Sequence, residues 1–396
     1  MKPSLTQDAP MFTLITGGCV YAPEKLGHKS ILIAGRVIAR IADRIDLPED
    51  FNPRVISAKG RKIVPGLVDL HVHLLGGGGE AGPWSRTPEI NLSKITRAGV
   101  TTVVGLLGTD DVSRRPEALL AKAMQLEQEG ISTYIYSGSY QLPLATITGS
   151  LRKDLALIPK VVGVGEVAVS DHRSSQPSYE ELCRIAAEAR VGGMLGGKAG
   201  LVHLHMGVGS RRLGPLIRMA NETEIPIGQL LPTHLNRTQE LMQHAIEFAK
   251  MGGNIDITAS GRDLHFHPTS VEAVRMALEA GVSVDQISIS SDSNGSMPIF
   301  DTKGDVVKLG VGDIQCLFDD WLLLVNSGVS IEDSLKMVTA NPAKRVGLFT
   351  GKGSLSTGKD ADLLILDQDL NIATVFAKGR LMIDGGKQLI KGTFEE

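Results

Sequence analysis

The sequence predicts an α/β protein: a (β/α)8 TIM-like barrel carrying a small β-sandwich domain built from both chain ends. Three observations carry that reading. Residues 65–345 alternate apolar strand-like runs with helical stretches closed by glycine, eight times over, and a barrel of this kind takes about 250 residues. Segments 1–64 and 346–396 show no amphipathic helix and read as short strands. Glycine is abundant at 45 residues while aromatics make up only 4%, which suits many tight βα turns better than an aromatic-packed all-β sandwich.

At the start of the chain the strand-like runs are FTLITGGCVYAP, KSILIAGRVIARIAD and RVISAKGRKIV, separated by Gly17-Gly18 and Gly35. The barrel strands follow in order as VDLHVHL, TTVVGLLG, STYIYSG, VVGVGEVAV, LVHLHMG, QLLPTHLN, NIDITAS and ISISSDS. Between them lie helical stretches such as RRPEALLAKAMQLEQEG and TQELMQHAIEFAKMGG. A glycine just past the last periodic residue is a common helix terminator. The far end returns to strands at ADLLILD, IATVFAKG and LMIDGGKQLI.

Composition narrows the function classes. A hydrophobic fraction of 42% with 21% charged residues is ordinary for a folded globular chain. The net charge of −3 comes with no basic stripe, which argues against nucleic acid as a partner. No apolar run has the length of a membrane span, and MKPSLTQDAPMF lacks the apolar core of a signal peptide. Cys19, Cys183 and Cys316 are far apart, without metal or redox spacing. Buried thiols in a reducing, cytoplasmic location are the expectation.

In such barrels chemistry sits at the C-terminal ends of the strands, and the polar residues fall there. Strand one carries His71 and His73, an HxH pair; at i and i+2 both point to the same face. Strand four carries Glu166, strand five His205, strand six His234 and strand eight Asp292. Four histidines and two carboxylates converge only if the sheet closes, and the set suits a pair of divalent ions such as zinc. Two neighbouring cations need an anion between them, and a carboxylate is the natural bridge.

The segments HVHLLGGGGEAGP, VVGLLGTD, TITGS, SDHRS, RVGGMLGGK, LPTHLNR, SSDSNGS, GKDADLLILD and KGTFE span nearly the whole chain. In combination they resemble the amidohydrolase superfamily and, within it, the isoaspartyl (β-aspartyl) dipeptidase family. The resemblance implies a metal-bearing barrel with a small β domain, acting on β-aspartyl dipeptides through a hydroxide that bridges two metal ions, and a homo-oligomer. It implies that His71, His73 and Asp292 hold the more buried ion and His205 and His234 the more exposed one. Asp292 would also move the proton from hydroxide to leaving amine. Glu80 and Ser296 would meet the substrate's α-amino group, Arg173 and Arg237 its carboxylates, and Tyr140 its carbonyl oxygen. Thr109 and Gly78 would complete the pocket.

One position departs from the family pattern. Its best-known form carries a carbamylated lysine on strand four, where this chain has Glu166. The glutamate arm is shorter by three bonds, roughly 3–4 Å, so the backbone must approach, the metals shift, or one metal be lost. Gly163 and Gly165 favour the first option, since glycine inside a strand often marks a bulge or a close backbone approach. Glu166 is accordingly read as the bridging ligand, with no need for bicarbonate.

The other polar residues carry blander readings. His28 and His244 read as structural in polar or helical settings, and Tyr136 as a core tyrosine. His203 reads as a hydrogen-bonded interior histidine one layer below His205. His265 and His267, a second HxH, fall in the loop after strand seven, without metal. Arg86 and Asp256 could approach the pocket, with no spacing argument to decide it. GGGG lacks the GK[ST] ending of a phosphate loop, and no G-x-S-x-G appears. Two alternatives remain: a cyclic amide or N-acyl amino acid hydrolase on the same metal ligands, and a metal-free scaffold.

Overall fold

The computed structural model describes residues 11–261, 267–300 and 306–396. The start of the chain (1–10) and His265 lie outside them. The chain opens with β1 (Phe12–Tyr21), β2 (Lys25–Ala34) and β3 (Val37–Ala42), an antiparallel meander. Two further strands, β4 (Arg54–Ser57) and β5 (Lys62–Pro65), run parallel to β1, one against each half of it. A register shift divides those halves between Ile15 and Gly18. A Cβ on Gly18 would sit 2.5 Å from the Ile63 side chain, so only glycine fits where β1 meets β5. His28 lies on β2 and not in a helical setting.

Eight parallel barrel strands follow: β6 (Leu67–Val72), β7 (Val100–Gly105), β8 (Ser132–Ser137), β9 (Val161–Val169), β10 (Leu201–Met206), β11 (Leu230–Thr233), β12 (Ile255–Thr258) and β13 (Ile287–Ser290). Interleaved with them are α1 (Leu92–Arg97), α2 (Pro116–Glu129), α3 (Leu151–Leu157), α4 (Tyr179–Gly196), α5 (Gly214–Glu222), α6 (Gln239–Lys250) and α7 (Ser270–Glu279). Most barrel strands are buried along their whole length, as parallel strands covered on both faces must be, and this is why they read as unbroken apolar runs. Helix ends obey local rules. Ser178 and Glu181 form a reciprocal capping box at the start of α4, and Gly197 ends it in a left-handed conformation.

Strands β6 to β11 pair in chain order as one six-stranded sheet, and β12 pairs with β13. Polar contacts stitch the two seams. At one, Thr233 Oγ1 donates to Asp256 Oδ2 at 2.7 Å, and Asn236 exchanges hydrogen bonds with the Thr258 backbone at 3.0 and 3.1 Å. At the other, Ser291 N donates to Asp69 Oδ1 at 3.1 Å and His73 N to Ser293 O at 2.9 Å. Both seams run past proposed site residues, so closing the barrel also places the site.

A hairpin of β14 (Ser296–Phe300) and β15 (Val306–Val311) follows the last barrel strand. The sequence reading did not include it. Helices α8 (Gln315–Asn326), α9 (Ile331–Val338) and α10 (Ala340–Arg345) complete the barrel wall. The chain then returns to the first sheet with β16 (Leu363–Leu366), β17 (Ile372–Ala377), β18 (Arg380–Asp384) and β19 (Lys387–Gln388). Strand β16 pairs antiparallel with β5, so both chain ends share one nine-stranded sheet. Its core includes Ile15, Ile31, Ile38, Ile63, Ile365 and Phe376. Lys352 pins this sheet to the barrel: buried, it meets Asp362 at 2.6 Å, Asp360 at 2.7 Å and Ser132 of β8 at 2.5 Å. Among the described residues no helix is long and apolar enough to cross a membrane.

Candidate metal centre and substrate pocket

His71 lies near the end of β6 and His73 just beyond it, their rings 5.5 Å apart. Glycine makes room for them: a Cβ on Gly108 would stand 2.9 Å from His73 Cε1, and one on Gly77 3.3 Å from His73 Nδ1. Part of the glycine abundance near the HxH motif is therefore a packing requirement.

Glu166 is brought inward by the bulge the two glycines suggest. Val164 pairs with Val202 and Val167 with Leu204, so Gly165 and Glu166 together face His203 alone. The strands crowd there: a Cβ on Gly163 would lie 2.6 Å from Leu201 O, and one on Gly165, at φ +153°, 2.8 Å from His203 O. His234 and Asp292 follow their strands in left-handed conformations, φ 61° and 52°. Such angles are uncommon for non-glycine residues and concentrate at functional sites.

These residues meet in one buried cluster. Glu166 Oε2 lies 2.8 Å from His234 Nε2, 2.9 Å from His205 Nδ1 and 3.4 Å from His71 Nε2. Asp292 Oδ1 lies 3.1 Å from His73 Nε2 and 3.2 Å from His71 Nε2. Two triads have ligand atoms within 4.8 Å of one another: His71, Glu166 and His234, and His71, His73 and Asp292. The structure thus groups His71, His73 and Asp292 as the resemblance implies. His205 reaches Glu166 without joining a triad.

The far nitrogen of three of these rings is held from behind. His71 Nδ1 lies 2.9 Å from His203 Nε2, His205 Nε2 lies 3.0 Å from Asp171 Oδ2, and His234 Nδ1 lies 2.7 Å from Thr258 Oγ1. Metal-ligating histidines are oriented in this way, one nitrogen anchored and the other presented. His71 Nε2 and Glu166 Oε1 are buried without a hydrogen-bond partner among the described residues, which is costly unless something else satisfies them. Nitrogen and oxygen donors of this kind fit a borderline divalent cation.

The electrostatics agree. Burial alone would raise the Glu166 and Asp292 carboxyls, but the imidazoles around them, His71 foremost, hold both well below the usual carboxylate range. Burial would lower His71, yet Glu166 and Asp292 outweigh it and hold its pKa well above the usual value. The same carboxylates that raise His71 would attract a divalent cation, so metal uptake competes with protonation there. Burial and the Arg237 charge push His234 down to about 3, so it is neutral and able to ligate at neutral pH.

The cavity beside the cluster gathers the remaining expected residues: Gly78, Glu80, Thr109, Tyr140, Arg173, Arg237 and Ser296 all line it. Thr109 Oγ1 donates to Glu80 Oε1 at 3.1 Å, and Arg173 Nη1 stands 3.5 Å from the same oxygen. Gly78, at φ 72°, could carry no side chain without meeting Ser85 O at 2.5 Å. Tyr140 Oη lies 2.6 Å from His205 Nδ1, and burial, then the Glu166 charge, raise its pKa well above 10.0.

With this geometry in place, the comparisons with known proteins fall into line. Residues 63–382 match the profile of the Amidohydrolase family. The chain belongs to the amidohydrolase family. A crystal structure of β-aspartyl dipeptidase from Fervidobacterium islandicum AW-1, in complex with β-Asp-Leu dipeptide, is 42% identical to this amidohydrolase with a TM-score of 0.91. The alignment covers 96% of this chain and 98% of that one. Dihydropyrimidinase from Brevibacillus agri NCHU1002 shares the fold at 17% identity and a TM-score of 0.67, over 96% and 97% of the two chains. Among curated relatives, a dihydroorotase from Anaeromyxobacter dehalogenans is 25% identical over 89% of this chain and 88% of its own. The resemblance read from the sequence motifs and the barrel fold are both borne out.

The amidohydrolase site also holds residues that sequence reasoning missed. Asp171 grips Arg173 through two hydrogen bonds, at 2.9 and 3.1 Å, besides meeting His205. Arg114 frames the glycine loop, donating to Leu75 O at 3.0 Å, Thr87 O at 3.2 Å and Asp110 Oδ2 at 2.8 Å. Thr87 in turn accepts from Gly77 N at 2.6 Å and donates to Asn294 O at 2.5 Å. His203 is the interior histidine expected, with the added feature that it touches His71. Tyr136 is a buried tyrosine stacked on His203. Asp256 belongs to the seam, accepting from Ser288 and Ser290 at 2.6 Å each. His267 is exposed.

Proposed function

We propose that this amidohydrolase is a metal-dependent dipeptidase that cleaves the isopeptide bond of β-aspartyl dipeptides, using two zinc ions. The observation that carries the reading is the pairing, in one cavity, of a cation-fitting His/Glu/Asp cluster with the Arg173 and Arg237 guanidinium groups and the Glu80 carboxylate. A β-aspartyl dipeptide presents a free α-amino group and two carboxylates. Glu80 complements the ammonium, and Arg173 and Arg237 complement the carboxylates, a task for which guanidinium geometry is well suited. The likeness to a β-aspartyl dipeptidase described with β-Asp-Leu supports the same substrate class.

His71, His73 and Asp292 would hold one ion and His205 and His234 the other, with Glu166 as the carboxylate available to both. Ions bound by these residues would lower the pKa of water and so supply hydroxide at neutral pH. The chain's own residues do the rest. Glu80, Arg173 and Arg237 fix the dipeptide so that its side-chain amide faces the cluster. Tyr140 keeps its proton because the phenol is buried beside Glu166, and it donates to the carbonyl oxygen as negative charge develops. Asp292 takes the nucleophile's proton and passes it to the leaving amine.

The dihydroorotase relatives favour a second reading, hydrolysis of a cyclic amide on the same ligands. A substrate panel separates the two: β-Asp-Leu, its C-terminal amide, N-acetyl-aspartate and dihydroorotate. The proposal expects turnover of β-Asp-Leu without added bicarbonate, a marked loss with the amide, and no turnover of the other two. Turnover of dihydroorotate with β-Asp-Leu inert overturns it. Glu166→Gln is expected to lose metal and turnover together; a variant with both metals and full activity removes Glu166 from the bridge.

A further inference from the structure

Asp171 stands just past the end of β9, buried, where the metal cluster meets the substrate pocket. Its Oδ1 accepts from Arg173 N at 2.8 Å and Arg173 Nε at 3.1 Å. Its Oδ2 accepts from Arg173 Nη2 at 2.9 Å, lies 3.0 Å from His205 Nε2 and stands 3.6 Å from Arg237 Nη1. Neighbouring backbone locks it in place, since a Cβ on Gly207 would lie 2.6 Å from both its Cα and its Cβ. One carboxylate therefore touches a metal-presenting histidine and both guanidinium groups.

We propose that Asp171 is a positioning residue that sets the His205 tautomer for metal binding and, through its other contacts, aims Arg173 at the substrate carboxylate. The inference rests on the dipeptidase reading for its second half only. A carboxylate accepts but cannot donate, so the 3.0 Å contact of Asp171, shorter than the 3.2 Å approach of Arg173 Nη2 to the same nitrogen, places the ring proton on Nε2. Nδ1 then presents a lone pair towards Glu166 Oε2, 2.9 Å away, where a cation would sit. Without Asp171 the ring can carry its proton on Nδ1 and donate it to Glu166, closing that position. On the other side, two contacts hold the Arg173 fork in one plane. Asp171 also offsets part of the positive charge of Arg173 and Arg237, which stand 2.9 and 3.6 Å from its Oδ2.

The test is zinc affinity on the metal-stripped full-length protein, measured with Zn2+ alone against a chromophoric chelator, together with kcat and KM on β-Asp-Leu. Asp171→Asn keeps the shape and removes the charge. It is expected to weaken binding of one of two zinc ions about 10–100-fold, lower kcat and raise KM. Arg173→Ala is expected to raise KM while holding zinc as the unaltered protein does, because it removes the 3.2 Å contact of Arg173 Nη2 with His205 Nε2 but leaves the Asp171 acceptor on that nitrogen. A fall below fivefold for Asp171→Asn, or an equal fall for Arg173→Ala, overturns the proposal. If the amide variant does not fold, Asp171→Glu, which lengthens the arm by about 1.5 Å, is read by the same criterion. Zinc affinity involves no substrate, so a protein that binds zinc as expected but leaves β-Asp-Leu intact defeats the dipeptidase reading and not this one.

Discussion

Replacing Gly165 with alanine tests whether the β9 bulge sets the reach of Glu166. The new Cβ would stand 2.8 Å from His203 O and 2.9 Å from His203 Cβ, at a φ of +153°. Relief requires the strands to part by several tenths of an ångström, and the backbone region is almost reserved for glycine, at a cost on the order of 1–3 kcal/mol. The next residue is Glu166, whose Oε2 sits 2.8 Å from His234 and 2.9 Å from His205. Contacts of that length are lost within roughly half an ångström, and misplacement near 1 Å costs about 100-fold in rate. We therefore expect Gly165→Ala to lower kcat/KM on β-Asp-Leu by about 10–100-fold, lose part of its bound metal and unfold at lower temperature. Gly214→Ala is the control: its Cβ meets no described atom within 4 Å, and its metal content and turnover should be unchanged. The reasoning is refuted if Gly165→Ala matches the unaltered protein in metal content and kcat/KM.

Three further outcomes follow from the same contacts. Tyr140→Phe should lower kcat about 10²–10³-fold with little change in KM, as expected for a donor to a developing oxyanion; a change confined to KM would place Tyr140 in binding instead. Lys352→Met strips the cation from buried Asp362, while Asp360 keeps its pair with Arg36 at 2.9 Å, and should cost about 3 kcal/mol in urea unfolding, whereas a loss under about 1 kcal/mol would mean Asp362 finds another partner. Burial, then neighbouring carboxylates, raise the Tyr136 and Tyr140 phenols well above 10.0. A raised folded pKa stabilises fully below the unfolded value and is lost as pH rises through the folded one. Alkaline titration followed by tyrosinate absorbance should thus leave these two silent until the chain unfolds. All five tyrosines ionising near their ordinary value in the folded state would contradict it.

Much of the fold was legible because its signals are local and repeated. Fully buried parallel strands leave continuous apolar runs such as VVGVGEVAV, and Gly163 and Gly165 inside that run marked a bulge or close backbone approach, which the structure shows between β9 and β10. The HxH pair needed only the period of a strand to be placed on one face. What escaped notice depends on contacts far apart in sequence. Asp171 looks like any loop acid until His205 and Arg237 fold against it; its one local cue was an acid two residues ahead of Arg173. Nothing in composition reports that His234 and Asp292 take left-handed angles, since both residue types are common elsewhere.

Hydrolysis of β-aspartyl dipeptides by this cluster and cavity, with metal bound, can be measured on a single sample. It is tested most directly by incubating one sample of the purified protein with β-Asp-Leu and with α-Asp-Leu, counting released leucine and measuring metal content on the same material. The account predicts cleavage of the β-linked peptide, little or none of the α-linked one, and two divalent ions per chain. Cleavage of the α-linked peptide alone, or turnover of β-Asp-Leu by protein stripped of metal, would contradict it.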